Sequence, residues 1–200
     1  MTRRLVSLLL LGAGSGLAQT PHDHMHHAAV EPAREEALKP SIPDLALLNQ
    51  DGEKVRFYSD LVKGKVVAIN FIFTTCTTIC PPMGATFAKV QSLLGQRMGN
   101  GLQLISISID PANDTPQRLK AWGDKFHRQP GWTFVTGPKP EIDALLASLG
   151  ASVSGKAEHT PIVVIGNDAT GAWTRAYGLG GATQVATIID AMATGRKMAQ

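Results

Sequence analysis

One stretch decides the fold of this chain: Asn70-Phe-Ile-Phe-Thr-Thr-Cys76-Thr-Thr-Ile-Cys80-Pro-Pro-Met83. It contains both cysteines of the 200-residue protein, and they stand four positions apart. The apolar run 65–73 predicts a central strand that is buried on both faces, as in a mostly parallel sheet. Pro81 and Pro82 suit the first turn of a helix. We therefore predict a strand and a helix with two thiols at their junction.

The segments around this junction predict an α/β fold in one domain. The turn signal 49–52 between two short strand-like segments indicates an N-terminal β-hairpin. Hydrophobic periodicity and helix start signals such as Asp114-Thr115-Pro116 predict the remaining elements. Strands are expected at 102–109, 132–135, 161–165 and 172–175, and helices at 81–94, 114–126, 140–149 and 183–198. In the first helix the apolar residues at helical spacing are Phe87, Val90, Leu93 and Leu94.

The N-terminus has the pattern of a secretory signal peptide. Arg3 and Arg4 precede the apolar run 5–11, and small residues lead to an expected cleavage site after Ala18. An uncleaved membrane anchor fits less well, because spanning a bilayer takes about 20 apolar residues. A lipoprotein is not expected, since no cysteine lies near the cleavage site. Removal of this segment lowers the formal net charge of +3 by two, so charge gives no reason to expect a nucleic-acid partner.

Residues 19–41 are predicted to be a histidine-rich disordered tail and linker, and 42–200 the folded domain. Imidazole and thioether ligands together suit copper, and imidazole alone suits zinc or nickel. Auxiliary metal capture by the tail and a tail with no fixed geometry both remain open. The histidines of this tail are His22, His24, His26 and His27.

The spacing of Cys76 and Cys80 allows a disulfide or a shared metal ion, because residues four apart meet over one helical turn. An exported protein can carry a structural disulfide. A loop this short, however, should stabilise far less than the ~3 kcal/mol expected for a 15-residue loop. A nearby helix N-terminus lowers a thiol pKa and favours the thiolate, which attacks disulfides and binds metals. A pair of inert buried cysteines is the less favoured alternative.

His159 is the candidate third ligand of a metal site. It follows a loop and opens an apolar strand, and functional groups of an open α/β sheet gather at strand ends. A surface histidine or a satisfied core histidine is the alternative, and spacing does not exclude it. His127, at a polar helix end, is interpreted as a surface residue. Two thiolates and one imidazole suit Cu(I), and they can also hold Cu(II) or zinc.

These motifs together resemble the Sco/SenC family, thioredoxin-like copper proteins that assist cytochrome c oxidase assembly. The resemblance covers the chain from about residue 42 onward. It rests on Phe73-Thr-Thr-Cys76-Thr-Thr-Ile-Cys80-Pro81, on Ser108-Ile-Asp110-Pro111-Ala-Asn-Asp114-Thr115-Pro116, and on His159 before a strand. It implies a thioredoxin-like fold with a central mixed β-sheet flanked by helices. It also implies that Cys76, Cys80 and His159 bind copper.

The resemblance implies roles for two further residues. Asp110 resembles the family's acidic residue near the site, where it would steer a partner or orient a ligand. Its alternative role is that of a turn residue before Pro111. Thr160-Pro161 resembles the cis-proline position of thioredoxins, so we expect Pro161 to be cis and close to Cys76.

Two functions remain open. The first is a monomeric periplasmic copper chaperone that delivers copper to, or prepares the thiols of, the binuclear copper site of cytochrome c oxidase or another periplasmic copper protein. The second is a thiol–disulfide oxidoreductase that acts on exported proteins without obligatory copper. A peroxidase is disfavoured, because no cation can be placed beside the thiolate. Ordinary thioredoxins have two residues between their cysteines, whereas this chain has three, and the wider spacing favours copper. Of the two functions, only copper binding needs His159.

Overall fold

The computed structural model describes residues 36–37, 40–152, 155 and 160–196. The chain divides into a unit of residues 1–30 and a unit of residues 31–200, and all described residues belong to the second unit. The expected signal peptide, the tail histidines and His159 lie outside the described residues. Residues 36–37, within the segment predicted to be a disordered tail and linker, form a strand.

A mixed eight-stranded sheet forms the centre of the described unit. In chain order its strands are β1 (Glu36–Ala37), β2 (Ala46–Asn49), β3 (Lys54–Arg56), β4 (Val66–Ile72), β5 (Leu102–Ser108), β6 (Trp132–Thr136), β7 (Ile162–Asn167) and β8 (Ala172–Tyr177). Their order across the sheet is β1-β8-β7-β4-β5-β6-β2-β3. The predicted N-terminal hairpin is confirmed as β2 and β3.

The strand β4 is central and buried along its whole length, as predicted. It runs parallel to β5 and antiparallel to β7. Only the β4–β5 and β5–β6 pairs are parallel among the described strands, so the expectation of a mostly parallel sheet is wrong. A continuous apolar run indicates that both faces are covered, but it carries no information on the direction of the neighbouring strands.

Helices cover both faces of the sheet. They are α1 (Cys80–Leu94), α2 (Pro116–Asp124), α3 (Lys139–Ser148) and α4 (Ala182–Thr194), with a π-helical turn at Phe57–Val62. One core lies between the sheet and α1, α2 and α4, and the other lies between the sheet, α3 and the π-helical turn. No helix in this described part is both long and apolar enough to cross a membrane.

The core under α1 contains one buried tryptophan that is held by rings and by a hydrogen bond. Trp132 lies 5.7 Å from Phe87 and 5.0 Å from Phe134, measured between ring centroids. Its Nε1 donates to the Ser106 hydroxyl over 2.9 Å, and that hydroxyl donates to Oδ1 of Asn70 over 2.6 Å. Trp132 is fully buried, so it fixes β6 against both the helix layer and the neighbouring strands.

Local sequence signals were accurate at turns and helix starts. The Gly52 N–H donates to the Asn49 carbonyl in the hairpin turn, with φ of +81° at the glycine. Thr115 is the N-cap of α2, because its hydroxyl accepts from the Arg118 N–H. One of the four apolar residues at helical spacing on α1 does not face the core: Leu93 is 46% exposed.

Candidate metal centre

Three segments that are distant in sequence meet at one edge of the sheet, which we call the thiol rim: residues 73–80, 109–115 and 160–161. The parallel strands β4 and β5 end side by side, with Ile72 opposite Ser108. The antiparallel strand β7 begins at the same edge, because Val163 pairs with Asn70. Cys76 and Asp110 therefore follow the ends of β4 and β5 on one rim, and Cys80 begins the helix after Cys76.

The two cysteines are free thiols within one helical turn of each other. Cys80 is the first residue of α1 and is fully buried, whereas Cys76 is 8% exposed. The Cys80 N–H donates to Sγ of Cys76 over 3.4 Å, and the Thr78 hydroxyl lies 3.7 Å from the same sulfur. Sγ of Cys76 thus lies at the N-terminus of α1, where the helix dipole favours negative charge.

The pKa values of the two thiols are shifted in opposite directions. Burial raises the pKa of Cys76, but hydrogen bonds with Cys80 and Thr78 outweigh it and leave that pKa below its ordinary value of 9.0. Burial, followed by the hydrogen bond with Cys76, raises the pKa of Cys80 to about 12. Of the metal-free pair, Cys76 therefore ionises at lower pH than Cys80.

We expect iodoacetamide to modify Cys76 at least about tenfold faster than Cys80 in the reduced, metal-free protein at pH 8. The lowered pKa of Cys76 makes its thiolate appear at lower pH, whereas the pKa of Cys80, raised to about 12, keeps that sulfur protonated. Tandem mass spectrometry locates the modified residue in the shared peptide. Urea-denatured protein is the control, in which both thiols should react alike. Equal rates in the native protein would contradict the assignment.

A buried carboxylate holds the loop that carries Cys76. Asp114 accepts from the Thr74 hydroxyl over 2.6 Å, from the Thr74 N–H over 3.1 Å and from the Ser108 hydroxyl over 2.6 Å. We call these three residues the Asp114 clamp. The sequence assigned Asp114 only to the start of α2, where Thr115 is the cap. The available signal was the presence of Ser108 and Asp114 in the same strand-end motif.

Asp110 is a buried turn residue on the thiol rim. The side-chain amide of Asn113 donates to both of its carboxylate oxygens, over 3.1 and 2.9 Å. Its carbonyl accepts from the N–H groups of Asn113 and Asp114, and its own N–H donates to the Ser108 hydroxyl. The turn role is thus present in the structure, while a role in orienting a ligand or steering a partner stays a prediction.

Pro161 lies on the same rim, but its peptide bond is not cis. The part of the chain that the structure describes contains no cis peptide bond, so that expectation is wrong. The Pro161 carbonyl accepts from the Gly178 N–H over 2.6 Å and the Thr160 carbonyl from the Ile162 N–H over 2.8 Å. The start of β7 is thus held with a trans bond, the form favoured by roughly 0.5–1 kcal/mol. Gly178 packs closely against both Pro161 and Met83 of α1. A Cβ added to this glycine would lie 2.8 Å from Met83 Cε and 3.2 Å from the Pro161 oxygen.

The remaining candidate ligands are not placed by the structure. His159 and the tail histidines lie outside the described residues, so their roles stay predictions. Across 36–37, 40–152, 155 and 160–196, no group of three His, Cys, Asp or Glu side chains is arranged to hold a metal ion. His127 is exposed, as expected of a surface histidine.

The described donors fit a soft cation. Both sulfurs lie within one helical turn, and one of them has a lowered pKa at a helix N-terminus. Thiolate ligands favour Cu(I) and zinc over the hard cations Mg²⁺ and Ca²⁺. The same arrangement suits thiol–disulfide exchange, because the more exposed sulfur, that of Cys76, has the lowered pKa.

The chain matches a known protein family over most of its length. The SCO1/SenC family model matches residues 34–199 of this chain. The SCO1 protein homolog of Bacillus subtilis (strain 168) is 41% identical over 90 residues, which cover 44% of this chain and 45% of that protein. A protein of Stutzerimonas stutzeri named "Putative copper-binding protein" is 34% identical over 113 residues, or 55% of this chain and 52% of that protein. The chain thus spans about half the length of these curated relatives.

The fold is also that of a solved member of this family. BsSco, described as a member of the Sco family of cytochrome c oxidase assembly proteins with a disulfide switch, superposes with a TM-score of 0.66. Its sequence is 28% identical, and the alignment covers 80% of this chain and 96% of that structure. The thioredoxin-like fold expected from the sequence, a mixed sheet flanked by helices, is thereby confirmed.

Proposed function

The chain belongs to the SCO1/SenC family, and on that premise we propose that it is a copper-binding protein that delivers copper to, or prepares the thiols of, the binuclear copper site of cytochrome c oxidase. One observation carries the proposal: two free thiols, Cys76 and Cys80, lie one helical turn apart at the thiol rim. The names of the relatives support it, since one refers to copper binding and another to cytochrome c oxidase assembly.

Copper is the cargo in this proposal, and the two sulfurs bind it in sequence. The thiolate of Cys76 is the first donor, because its pKa is lowered by hydrogen bonds that outweigh its burial. Cys80 becomes the second donor when its proton leaves for solvent, so binding of both sulfurs releases that proton. His159 completes the set as a third ligand. An acceptor protein then takes the copper by replacing these ligands with its own.

The proposed place of action is the periplasm, after export directed by the N-terminal signal pattern. The proposed partner is the copper-accepting subunit of cytochrome c oxidase or another periplasmic copper protein, met by a monomer of this chain. The tail histidines add an auxiliary site that captures metal before it reaches the thiols.

A thiol–disulfide oxidoreductase is the second candidate, and the asymmetry of the pair supports it. The thiolate of Cys76 would attack one sulfur of a partner disulfide and release the other as a thiolate. The Cys80 thiol would lose its proton and attack Cys76 in the mixed disulfide. The products are a Cys76–Cys80 disulfide and a partner with two thiols. This function needs neither copper nor His159.

Titration of the reduced protein with Cu(I) and Cu(II) separates the two candidates. We expect one copper ion at the thiols, besides the ion that the tail histidines capture, and, with Cu(II), sulfur-to-copper charge-transfer absorption. His159→Ala should lower the copper affinity at least about tenfold. Loss of a residue that only supports a metal ligand already lowers affinity about tenfold to a hundredfold. Its rate of disulfide exchange should remain that of the unmodified chain. His127→Ala is the matched control, since His127 is exposed, and it should bind copper normally.

The possible results point in different directions. A chain that binds no copper but reduces disulfides would favour the oxidoreductase. Normal copper affinity in His159→Ala would refute the three-ligand site while leaving the two-thiol site in place.

A further inference from the structure

Asp114 is a fully buried carboxylate whose two oxygens are both used. Oδ1 accepts from the Thr74 hydroxyl over 2.6 Å and from the Thr74 N–H over 3.1 Å, and Oδ2 accepts from the Ser108 hydroxyl over 2.6 Å. Burial of a carboxylate is costly unless such donors surround it. In the described part of the chain, the donors to the Asp114 carboxylate therefore come from two places: the loop of Cys76 and the end of β5.

The Asp114 clamp connects a short loop to a fixed frame. Thr74 stands two residues before Cys76 and leads directly into the turn in which the Cys76 N–H donates to the Phe73 carbonyl over 3.1 Å. On the other side, the Asp114 N–H donates to the Asp110 carbonyl over 2.9 Å, so the backbone of the carboxylate is itself held by a turn. The position of the Cys76 loop is thus set by β5 and the start of α2.

The loop gains little burial from its other polar residues. Thr75, Thr77 and Thr78 are exposed, whereas Thr74 is half-buried and faces the carboxylate. The sulfur of Cys76 must nevertheless stay within reach of Cys80 for one ion to bind both. Metal ligands that are fixed by hydrogen bonds of this kind bind more tightly, because less freedom is lost on binding.

We propose that Asp114 is a positioning residue, which holds the Cys76 loop so that both sulfurs can bind one copper ion. The copper step rests on the proposed function, whereas the restraint on the loop does not depend on metal. The carboxylate acts through Thr74 and Ser108 and does not touch the metal.

The positioning effect of Asp114 must be separated from the effect of its charge. Burial is the largest cause of the raised pKa of Cys80, and the charge of Asp114 is a smaller cause in the same direction. Replacement of Asp114 changes both the charge and the hydrogen bonds. Thr74→Val keeps the carboxylate and nearly the same side-chain volume, and removes only the hydroxyl donor. Thr74→Ser keeps the donor, and Thr75→Val makes the same chemical change at the exposed neighbouring position.

The experiment compares Thr74→Val, Thr74→Ser, Thr75→Val and Asp114→Asn in the full chain. We expect Thr74→Val to speed hydrogen exchange of the residue 74 amide at least about tenfold in the metal-free protein, because the loop opens more often. The same variant should lower copper affinity about tenfold, within the range known for outer-shell partners of a metal. Thr74→Ser and Thr75→Val should match the unmodified chain, and Asp114→Asn should lose at least as much as Thr74→Val.

Two results would overturn the inference. The first is unchanged hydrogen exchange of the residue 74 amide in Thr74→Val and Asp114→Asn. The second is a fall in the free energy of unfolding with normal copper affinity and a normal charge-transfer spectrum, which would make the clamp purely structural. An unmodified chain that binds no copper would instead refute the proposed function, and the metal-free exchange would still decide whether the clamp holds the loop.

Discussion

Cys80→Ser is expected to lower copper affinity by more than about a hundredfold, beyond the loss known for residues that only support a ligand. A serine hydroxyl is a hard donor that stays protonated near neutral pH, so it does not replace a thiolate on Cu(I). The substitution is nearly isosteric at a fully buried position. The backbone N–H of residue 80 remains able to donate to Cys76, so the loop should keep its shape.

Competition with a chromophoric Cu(I) chelator measures this affinity, and far-UV circular dichroism checks the fold. Met83→Leu is the matched control: it removes another buried sulfur of α1 with little change in volume and should bind copper normally. Normal affinity in Cys80→Ser would falsify the two-thiol site. Loss of copper in Met83→Leu would mean that a thioether belongs to the ligand set.

Trp132→Ala is expected to lower the free energy of unfolding by about 3–5 kcal/mol, the usual cost of truncating a buried aromatic residue. The indole is fully buried and packs on Phe87 and Phe134. Its removal leaves a cavity and takes the donor from the Ser106 hydroxyl. A loss of this size is a large fraction of the roughly 5–15 kcal/mol by which domains are stable.

Urea unfolding followed by far-UV circular dichroism measures this change. Trp132→Phe is the matched variant, because it keeps a ring and removes the Nε1 donor. Its expected cost is about 1–3 kcal/mol, mostly from the hydrogen bond that Ser106 loses. A Trp132→Ala protein that loses less than the phenylalanine variant would contradict the role of the indole as a core element.

Local features of the fold were predictable because they depend on neighbouring residues. The apolar run before Cys76 identified β4, and Pro81 and Pro82 placed the start of α1 within a residue. Thr115 was recognisable as part of a helix start because a hydroxyl before a proline is a typical N-cap. The expectation that both Leu93 and Leu94 face the core was wrong for Leu93. Adjacent residues on a helix point about 100° apart, and of these two leucines Leu94 is the buried one.

Features that depend on tertiary contacts were not predictable from the sequence. The antiparallel direction of β7 is set by its pairing with β4, which leaves no local signal. The role of Asp114 requires that β4 and β5 end side by side, so that Thr74 and Ser108 reach one carboxylate. The expectation of a cis Pro161 came from an analogy with thioredoxins and not from a physical constraint in this chain.

The candidate site was predicted in part. Cys76 and Cys80 were assigned from their spacing and the helix start that follows, and the structure brings them together. Their opposite pKa shifts were not predictable, because burial and hydrogen bonding in the folded loop cause them. His159 stays a prediction of the sequence, since it lies outside the described residues.

The strand order of the sheet has a consequence for the order of folding. The thiols and the Asp114 clamp belong to β4, α1, β5 and the start of α2, which follow one another along the chain. The strand after His159 joins β4 only through long-range pairing, as between Asn70 and Val163. Loop-closure entropy is lower for the contiguous segment, and contacts between nearby residues form faster. Chain topology therefore favours assembly of the dithiol before β7 pairs with β4.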